Sequence, residues 1–169
     1  MEHEIIDNFL PDRDFQLISS IILGDSFPWF FCDYVTDRDK KEPEGYRQYQ
    51  FYCSLYGTNE GMSSTIAGTI LDKFKTKLYV SSWMRAKMNL SPRGKNIERN
   101  DFHTDFPKIT NYTTAVFYVN TNNGYTLFEN GNKIESIENR IVIFPGNTPH
   151  TGTTCTDENR RVVLNLNYV

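Results

Sequence analysis

From Lys77 to the end of the chain, short segments rich in Val, Ile, Tyr, Phe and Thr alternate with turn residues. Such segments suit the pleated, half-buried surface of a β-sheet. Two of the turns contain Asn-Gly, at Asn123-Gly124 and Asn130-Gly131, which is the strongest local signal for a tight hairpin. We therefore predict an antiparallel jelly roll (double-stranded β-helix) with strands over residues 77–90, 112–120, 125–129, 132–137, 140–144 and 160–168.

The part of the chain before Lys77 has a mixed pattern. Apolar residues recur at helical spacing over residues 11–23 and again over residues 63–76, so we predict a helix in each range. Residues 46–56 resemble a strand, whereas residues 25–45 end in a charged run and resemble an exposed loop.

The whole sequence therefore predicts an α+β fold, mainly β, in which N-terminal helices pack on one sheet of the jelly roll. We expect a single domain over residues 1–169. Residues 1–76 would supply the helical support and the first strand, and residues 77–169 would form the jelly-roll core.

The composition argues against several classes of protein. The three cysteines are far apart, odd in number and form no Cys-x-x-Cys pair, which argues against a disulfide framework and a zinc knuckle. The start has no signal-peptide pattern, and no stretch approaches the roughly 18 apolar residues that span a bilayer. We expect a soluble cytoplasmic protein with no membrane contact, and a monomer or weak homodimer because no heptad pattern is present.

Three residues form a candidate metal site. The sequence FHTDF contains His103 and Asp105, and residues two apart on an extended segment point to the same side. His150 follows a later apolar segment and a Pro/Gly turn, in RIVIFPGNTPH. Two histidines and one carboxylate on one face are typical of the facial site of non-haem iron(II) oxygenases.

The alternative for each histidine is a structural role, which is the commoner one for an isolated histidine. A His-x-Asp tripeptide also arises by chance in many chains. Apart from His3, which we expect to be an exposed terminal residue, both histidines of the chain fit the pattern.

From about Trp83 to Val169 the sequence resembles the iron(II) and 2-oxoglutarate dependent oxygenase superfamily, especially its prolyl-hydroxylase-like branch and small phage-type members. The resemblance rests on four motifs, FHTDF, TTAVFYVNTNNGYTLFENG, NRIVIFPGNTPH and RRVVLNLNYV. It implies an oxidoreductase that uses iron(II), 2-oxoglutarate and O2, releases succinate and CO2, and is supported by ascorbate.

The resemblance also implies residues that bind the distal carboxylate of 2-oxoglutarate. Tyr118 in AVFYVN matches the tyrosine that touches this cosubstrate in the superfamily. Arg160 and Arg161 are adjacent and must face opposite sides of a strand, so at most one of them points inward. An arginine suits this role because a guanidinium group binds a carboxylate with paired hydrogen bonds. Arg161 is the better match of the two, because it directly precedes the alternating run VVLNLNY.

The segment WMRAKMNL resembles the strand at the mouth of the pocket, which makes Arg85, Lys87 and Asn89 candidate substrate residues, although the same alternation fits an ordinary half-exposed strand. A prolyl or other peptidyl residue is the first expectation for the substrate, followed by a small molecule. The formal charge of -3 disfavours nucleic acid, but a basic strip that includes Arg93, Lys95 and Arg99 keeps that substrate open.

Two other classes of function remain open at this point. A cupin-like module would use the same jelly roll and triad to hold a metal ion or a small acid without turnover. A purely structural β-sandwich would contain the same histidines with no relation between them.

Overall fold

The computed structural model of the protein describes residues 3–35 and 48–169. Two helices lie within these ranges, α1 (Asp12–Leu23) and α2 (Thr65–Lys75). The same ranges contain eleven strands: β1 (Glu4–Ile6), β2 (Phe30–Cys32), β3 (Gln50–Gly57), β4 (Gly61–Met62), β5 (Trp83–Pro92), β6 (Thr113–Tyr118), β7 (Tyr125–Phe128), β8 (Lys133–Glu135), β9 (Ile141–Pro145), β10 (His150–Gly152) and β11 (Arg160–Tyr168). The fold is therefore mainly β, as the sequence predicts.

The strands form the two sheets of a jelly roll. The large sheet has the order β1-β9-β6-β11-β5-β3-β2, with β4 paired to β3, and the small sheet has the order β10-β7-β8. Neighbouring strands in both sheets are antiparallel. The last strand of the chain, β11, lies between β5 and β6 and therefore occupies the centre of the large sheet.

The outer face of the large sheet carries the main hydrophobic core. Buried side chains of α1 and α2 pack there against apolar residues of β5, β6 and β11. The ring of Phe117 on β6 lies near the rings of Phe9, Phe15 and Phe74, with centroid distances of 6.4, 6.2 and 5.0 Å. The helices thus pack on one sheet, as predicted, and they leave its inner face free to line a cavity.

Both predicted helices are confirmed. The first turn of α1 contains Asp12 and Asp14, whose carboxylates interact favourably with the positive end of the helix dipole. The Oγ of Ser64 accepts a hydrogen bond from the N–H of Ala67 at 3.1 Å and so caps the start of α2. Neither of these two described helices has the length and apolar character needed to cross a membrane.

The strand predicted over residues 77–90 begins only at Trp83, because the preceding residues leave α2 through a Schellman turn. The N–H of Val80 bonds to the carbonyl of Lys75 at 3.0 Å. Tyr79 has a left-handed φ of 52° and is 90% exposed. The aromatic and branched residues of this segment close the end of a helix, and composition alone does not distinguish that role from a strand.

The loop predicted over residues 25–45 contains β2, which pairs with β3 along an edge of the large sheet. With three residues, β2 is too short to produce a periodic signal. The rest of that loop, from residue 36 onward, lies outside the described residues. The strand predicted over residues 46–56 corresponds to β3, and its first two residues also lie outside the described ranges.

Of the two predicted hairpin turns, one is confirmed and one is wrong. Asn130-Gly131 joins the antiparallel strands β7 and β8, and Gly131 has a φ of 90°. Asn123-Gly124 instead connects β6 of the large sheet to β7 of the small sheet. A Cβ on Gly124 would lie 2.6 Å from Cδ of Arg161, so this glycine allows the chain to pass close to that side chain.

Replacement of Phe117 by alanine tests the aromatic core. Because Phe117 is fully buried among three other rings, we expect Phe117→Ala to lower the free energy of unfolding by about 3–5 kcal/mol, measured by urea denaturation. Phe31→Ala is the matched control, since that ring is 61% exposed, and it should cost far less. Equal losses for the two variants would show that the core lies elsewhere.

Candidate active site

The structure brings His103, Asp105 and His150 together. His103 and His150 form an isolated antiparallel bridge, in which each backbone N–H bonds to the other residue's carbonyl at 3.0 Å. The candidate ligand atoms of the three side chains all lie within 4.8 Å of one another. Residues far apart in the sequence are therefore held side by side by the backbone, with an imidazole, a carboxylate and an imidazole facing one point.

Both histidines have a backbone partner at Nδ1. The Nδ1 of His150 lies 3.0 Å from the carbonyl oxygen of Thr148, and the Nδ1 of His103 lies 3.2 Å from that of Asp101. A carbonyl only accepts, so each Nδ1 donates to it, and in the neutral form of each ring Nε2 is the nitrogen with the lone pair. Burial lowers the pKa of His150 below its ordinary value, against the opposing effect of Asp105, which favours the neutral, metal-binding form.

The carboxylate of Asp105 is held at both oxygens. Arg85 donates to Oδ1 and forms an ion pair, and Asn167 Nδ2 donates to Oδ2 at 2.8 Å. Arg85 Nε also donates to Asn167 Oδ1 at 3.1 Å, which closes a three-residue ring of contacts. Burial works to raise the pKa of Asp105, but Arg85, the two histidines and Asn167 outweigh it and hold that pKa below its usual value. The group is therefore an ionised carboxylate with a fixed orientation.

The triad opens onto a cavity of about 440 Å³, which is within the usual size range for small-molecule sites. The inner faces of β5 and β11 form much of its wall, and the small sheet contributes His150 and Thr126. Its lining includes predicted residues from three groups: the triad, Arg161, and the candidate substrate residues Arg85, Lys87 and Asn89.

Arg161 lies on the wall of this cavity with only 4% of its surface exposed. Its Nε donates to Ser136 Oγ at 2.9 Å and its Nη2 donates to Thr126 Oγ1 at 3.2 Å. Among the described residues no carboxylate pairs with this guanidinium, and burial lowers the pKa of Arg161. A buried cation held only by neutral hydroxyls favours an anionic ligand.

Arg160 faces the opposite way, as strand alternation predicts. Its Nη2 donates to the carbonyl oxygen of Leu23, at the end of α1, at 2.6 Å. This contact satisfies one of the free carbonyls at the helix C-terminus and places a positive charge at the negative end of the helix dipole. The geometry therefore gives the two adjacent arginines different surroundings, one in the cavity and one on the helical side.

Tyr118 is fully buried and lies behind the cavity wall, in an apolar cluster between the sheets that includes Phe128 and Phe144. Its hydroxyl donates to Thr126 Oγ1 at 2.8 Å, and its ring faces the Arg161 guanidinium at 5.7 Å. Thr126 thus accepts from both neighbours and keeps its own hydroxyl proton to donate into the cavity. Tyr118 is therefore not part of the cavity lining, and it is linked to the predicted cosubstrate pocket by its hydrogen bond to Thr126.

The sequence interpretation missed Thr126, Ser136 and Asn167 as site residues. Asn167 lies on the same face of β11 as Arg161, so alternation could have suggested it. Thr126 and Ser136 come from the small sheet and the segment after it, and their proximity to Arg161 depends on how the two sheets pack. No local pattern in the sequence records that packing.

Several solved structures resemble this chain in fold. No family model and no curated protein matches it. A prolyl hydroxylase from Trichoplax adhaerens, solved with a hypoxia inducible factor peptide, aligns with a TM-score of 0.66 and 15% identity over 98% of this chain and 83% of the other. A 2OG-Fe(II) oxygenase family protein from Burkholderia pseudomallei gives 0.69 and 9% identity over 98% and 84%.

A prolyl-4-hydroxylase from Pseudomonas putida aligns with a TM-score of 0.64 and 12% identity, over 98% of this chain and 91% of the other. These alignments cover nearly the whole chain, including the helices as well as the two sheets. At these levels of identity the alignments establish the architecture. They confirm the resemblance seen in the sequence as a resemblance of fold. The chain has the jelly-roll fold of the iron(II) and 2-oxoglutarate dependent oxygenases.

Proposed function

We propose that this protein is an iron(II) and 2-oxoglutarate dependent dioxygenase that hydroxylates a substrate bound in the central cavity. The observation that carries the proposal is the coexistence, in one cavity, of the His103–Asp105–His150 cluster and the buried Arg161, which has no carboxylate partner in the described part of the chain. A metal site alone fits many functions, and an unpaired buried arginine alone fits many anions. Together they match a metal ion and a dicarboxylate that spans from it to the guanidinium.

The donor set fits iron(II). As neutral imidazoles, which is the form that binds metal, His103 and His150 each present Nε2, and Asp105 presents an ionised carboxylate. Together they make the two-histidine, one-carboxylate set of non-haem iron oxygenases. When bound, iron(II) supplies the oxidation, in which O2 and 2-oxoglutarate yield succinate, CO2 and a hydroxylated substrate. Ascorbate would serve to keep the iron in its reduced state.

Other residues in and around the cavity bind 2-oxoglutarate and orient the candidate metal ligands. Arg161 pairs with the distal carboxylate of 2-oxoglutarate, and Thr126 donates its free hydroxyl proton to the same group. Tyr118 fixes Thr126 from behind the wall of the cavity, and Asn167 with Arg85 fixes the plane of the Asp105 carboxylate. These contacts place the cosubstrate and the ligands before reaction, which is the main contribution of a protein to cofactor chemistry.

A prolyl or other peptidyl residue is the first candidate for hydroxylation. It is supported by the sequence resemblance and by two of the solved structures reported above, whose descriptions name them prolyl hydroxylases. A small molecule is the next candidate. The net charge of -3 argues against nucleic acid, since phosphate contacts dominate that kind of affinity.

Turnover without the natural substrate provides the first test. We expect the protein, given iron(II), ascorbate and 2-oxoglutarate, to form succinate slowly, and His103→Ala to lose iron binding and succinate formation by roughly 100-fold or more, because a ligand is removed. Iron content is measured by elemental analysis and succinate by mass spectrometry.

His3→Ala is the matched control, because His3 stacks on Phe128 and belongs to no metal cluster among the described residues. It should retain both iron and turnover. Metal binding without succinate formation would contradict the enzyme and support the cupin-like module. An unchanged metal content in His103→Ala would support the purely structural alternative.

The two arginines provide the second test. We expect Arg161→Met to weaken 2-oxoglutarate binding by at least about 30-fold, since removing one partner of a buried charge pair costs upward of about 2 kcal/mol. Arg160→Met should leave that affinity close to the wild-type value, because its guanidinium contacts Leu23 on the other side of β11. Calorimetric titration of the manganese-loaded proteins measures both, and the reverse order would identify Arg160 as the anchor.

Asn167 provides the third test. Asn167→Ala removes a hydrogen bond to Asp105 without changing any charge, so we expect manganese(II) to bind about 10–100-fold more weakly. Asn165→Ala is the matched control, since Asn165 lines the same cavity two residues earlier on β11. Equal manganese affinities in the two variants, measured by electron paramagnetic resonance, would show that Asp105 needs no support from Asn167.

A further inference from the structure

Lys87 is a cation in the cavity that the proposed chemistry does not use. It lies on the inner face of β5, two residues from Arg85 on one side and two from Asn89 on the other. Its Nζ is 5.0 Å from the centroid of the Tyr52 ring, on the neighbouring strand β3. No ion pair joins Lys87 to a carboxylate in residues 3–35 or 48–169, whereas Arg85 is paired with Asp105.

The surroundings of Lys87 disfavour an isolated positive charge. Burial lowers the pKa of Lys87, and the nearby charge of Arg85 lowers it further, against smaller opposing effects of Cys32 and Asp105. A face contact with an aromatic ring offsets only part of such a cost. An anion beside the ammonium group would remove the penalty, which is what a binding residue for an acidic ligand requires.

The charge of the loaded cavity points the same way. Among the described residues its charged lining consists of Arg85, Lys87 and Arg161, with Asp105 as the one carboxylate, and the two histidines would be neutral as metal ligands. The two positive charges of iron(II) are balanced by the two carboxylates of 2-oxoglutarate. The described side chains then leave the filled cavity with an excess of two positive charges, so it attracts a negatively charged substrate and repels a cationic one.

Asn89 adds a second requirement. Its Oδ1 is buried and has no hydrogen-bond donor within the described part of the chain. An unsatisfied buried carbonyl destabilises the structure, so a ligand that brings an N–H or O–H to this atom gains affinity. Lys87 and Asn89 are therefore complementary to a ligand that carries an anionic group and, close to it, a hydrogen-bond donor.

We propose that the substrate carries an anionic group, a carboxylate or a phosphate, that binds to Lys87, and a neighbouring N–H or O–H that donates to Asn89 Oδ1. This inference rests on the proposed function, because it assigns the substrate side of the same cavity. A carboxylate could belong to a free acid or to an acidic side chain of a peptide. The chemistry at Lys87 is the same for both, and the probes below separate them.

Calorimetric titration of the manganese-loaded protein, saturated with 2-oxoglutarate to occupy Arg161, tests the proposal with matched pairs of probes. The first pair is N-acetyl-L-alanine and its uncharged methyl ester, which both carry an amide N–H beside the group that changes. The second is a capped Ala-Pro-Glu peptide and its Ala-Pro-Gln counterpart, and inorganic phosphate is titrated separately. We expect the acid of at least one pair to bind at least about ten-fold more tightly than its uncharged counterpart, or phosphate to bind at least about ten-fold more tightly than the uncharged probes. A difference of this size corresponds to one charge pair that is retained in the complex.

The variants identify Lys87 as the source of the preference. Lys87→Gln should reduce the preference for the anion to less than about two-fold, and Lys87→Arg should restore most of it because the charge returns. Lys95→Gln, at an exposed lysine outside the cavity lining, is the control and should keep the wild-type preference. Circular dichroism of each variant confirms that it is folded before titration.

Three results would overturn the proposal: no anionic probe binds better than its uncharged counterpart, the preference survives Lys87→Gln, or Lys87→Gln weakens 2-oxoglutarate instead of the probes. The last result would make Lys87 a cosubstrate residue. Titration of 2-oxoglutarate alone keeps the two hypotheses apart, since its failure to bind contradicts the proposed function, whereas normal binding without an anion preference contradicts only this inference.

Discussion

The pairing of β5 with β11 is the interaction on which the rest of the site depends. Opposite residues in an antiparallel pair share a face, and the inner face joins Arg85 to Asn167, Lys87 to Asn165, Asn89 to Val163 and Ser91 to Arg161. The residues between them, such as Met88 and Leu164, are buried under the helices. A slip of one residue would move these apolar side chains into the cavity and the charges into the core. Core burial therefore fixes the register, and the register fixes the site.

The small sheet supplies the site residues that do not lie on β5 or β11. His150 begins β10 and Thr126 lies on β7, and these two strands pair with each other. The bridge between His103 and His150 ties the segment before β6 to the small sheet by two backbone hydrogen bonds. The backbones of the two candidate histidine ligands and of Thr126, whose hydroxyl contacts Arg161, are thus positioned by pairing, so little ordering remains to oppose ligand binding.

Local features of the sequence determine a large part of this arrangement. Helical spacing located α1 and α2, and strand alternation separated the surroundings of Arg161 from those of Arg160. The contact between Arg85 and Asp105 was not predictable, because it requires β11 to lie beside β5 and the segment after β5 to return to its far end. Asn123-Gly124 failed as a hairpin signal for a related reason: its glycine serves a close approach to Arg161, and that role depends on a strand much later in the chain.

Charge in the cavity has consequences for stability as well as for binding. Within residues 3–35 and 48–169, three cations and one carboxylate line a partly enclosed space. Desolvation of unpaired charge costs free energy in the folded protein that the unfolded chain does not lose. Ligands that bind only the folded state offset this cost by mass action, so folding and occupancy of the site are linked. Without ligands the cost has to be offset elsewhere, and the aromatic cluster around Phe117 lies on the opposite face of the same sheet. The large sheet therefore separates an apolar face that stabilises the fold from a charged face whose cost the ligands relieve.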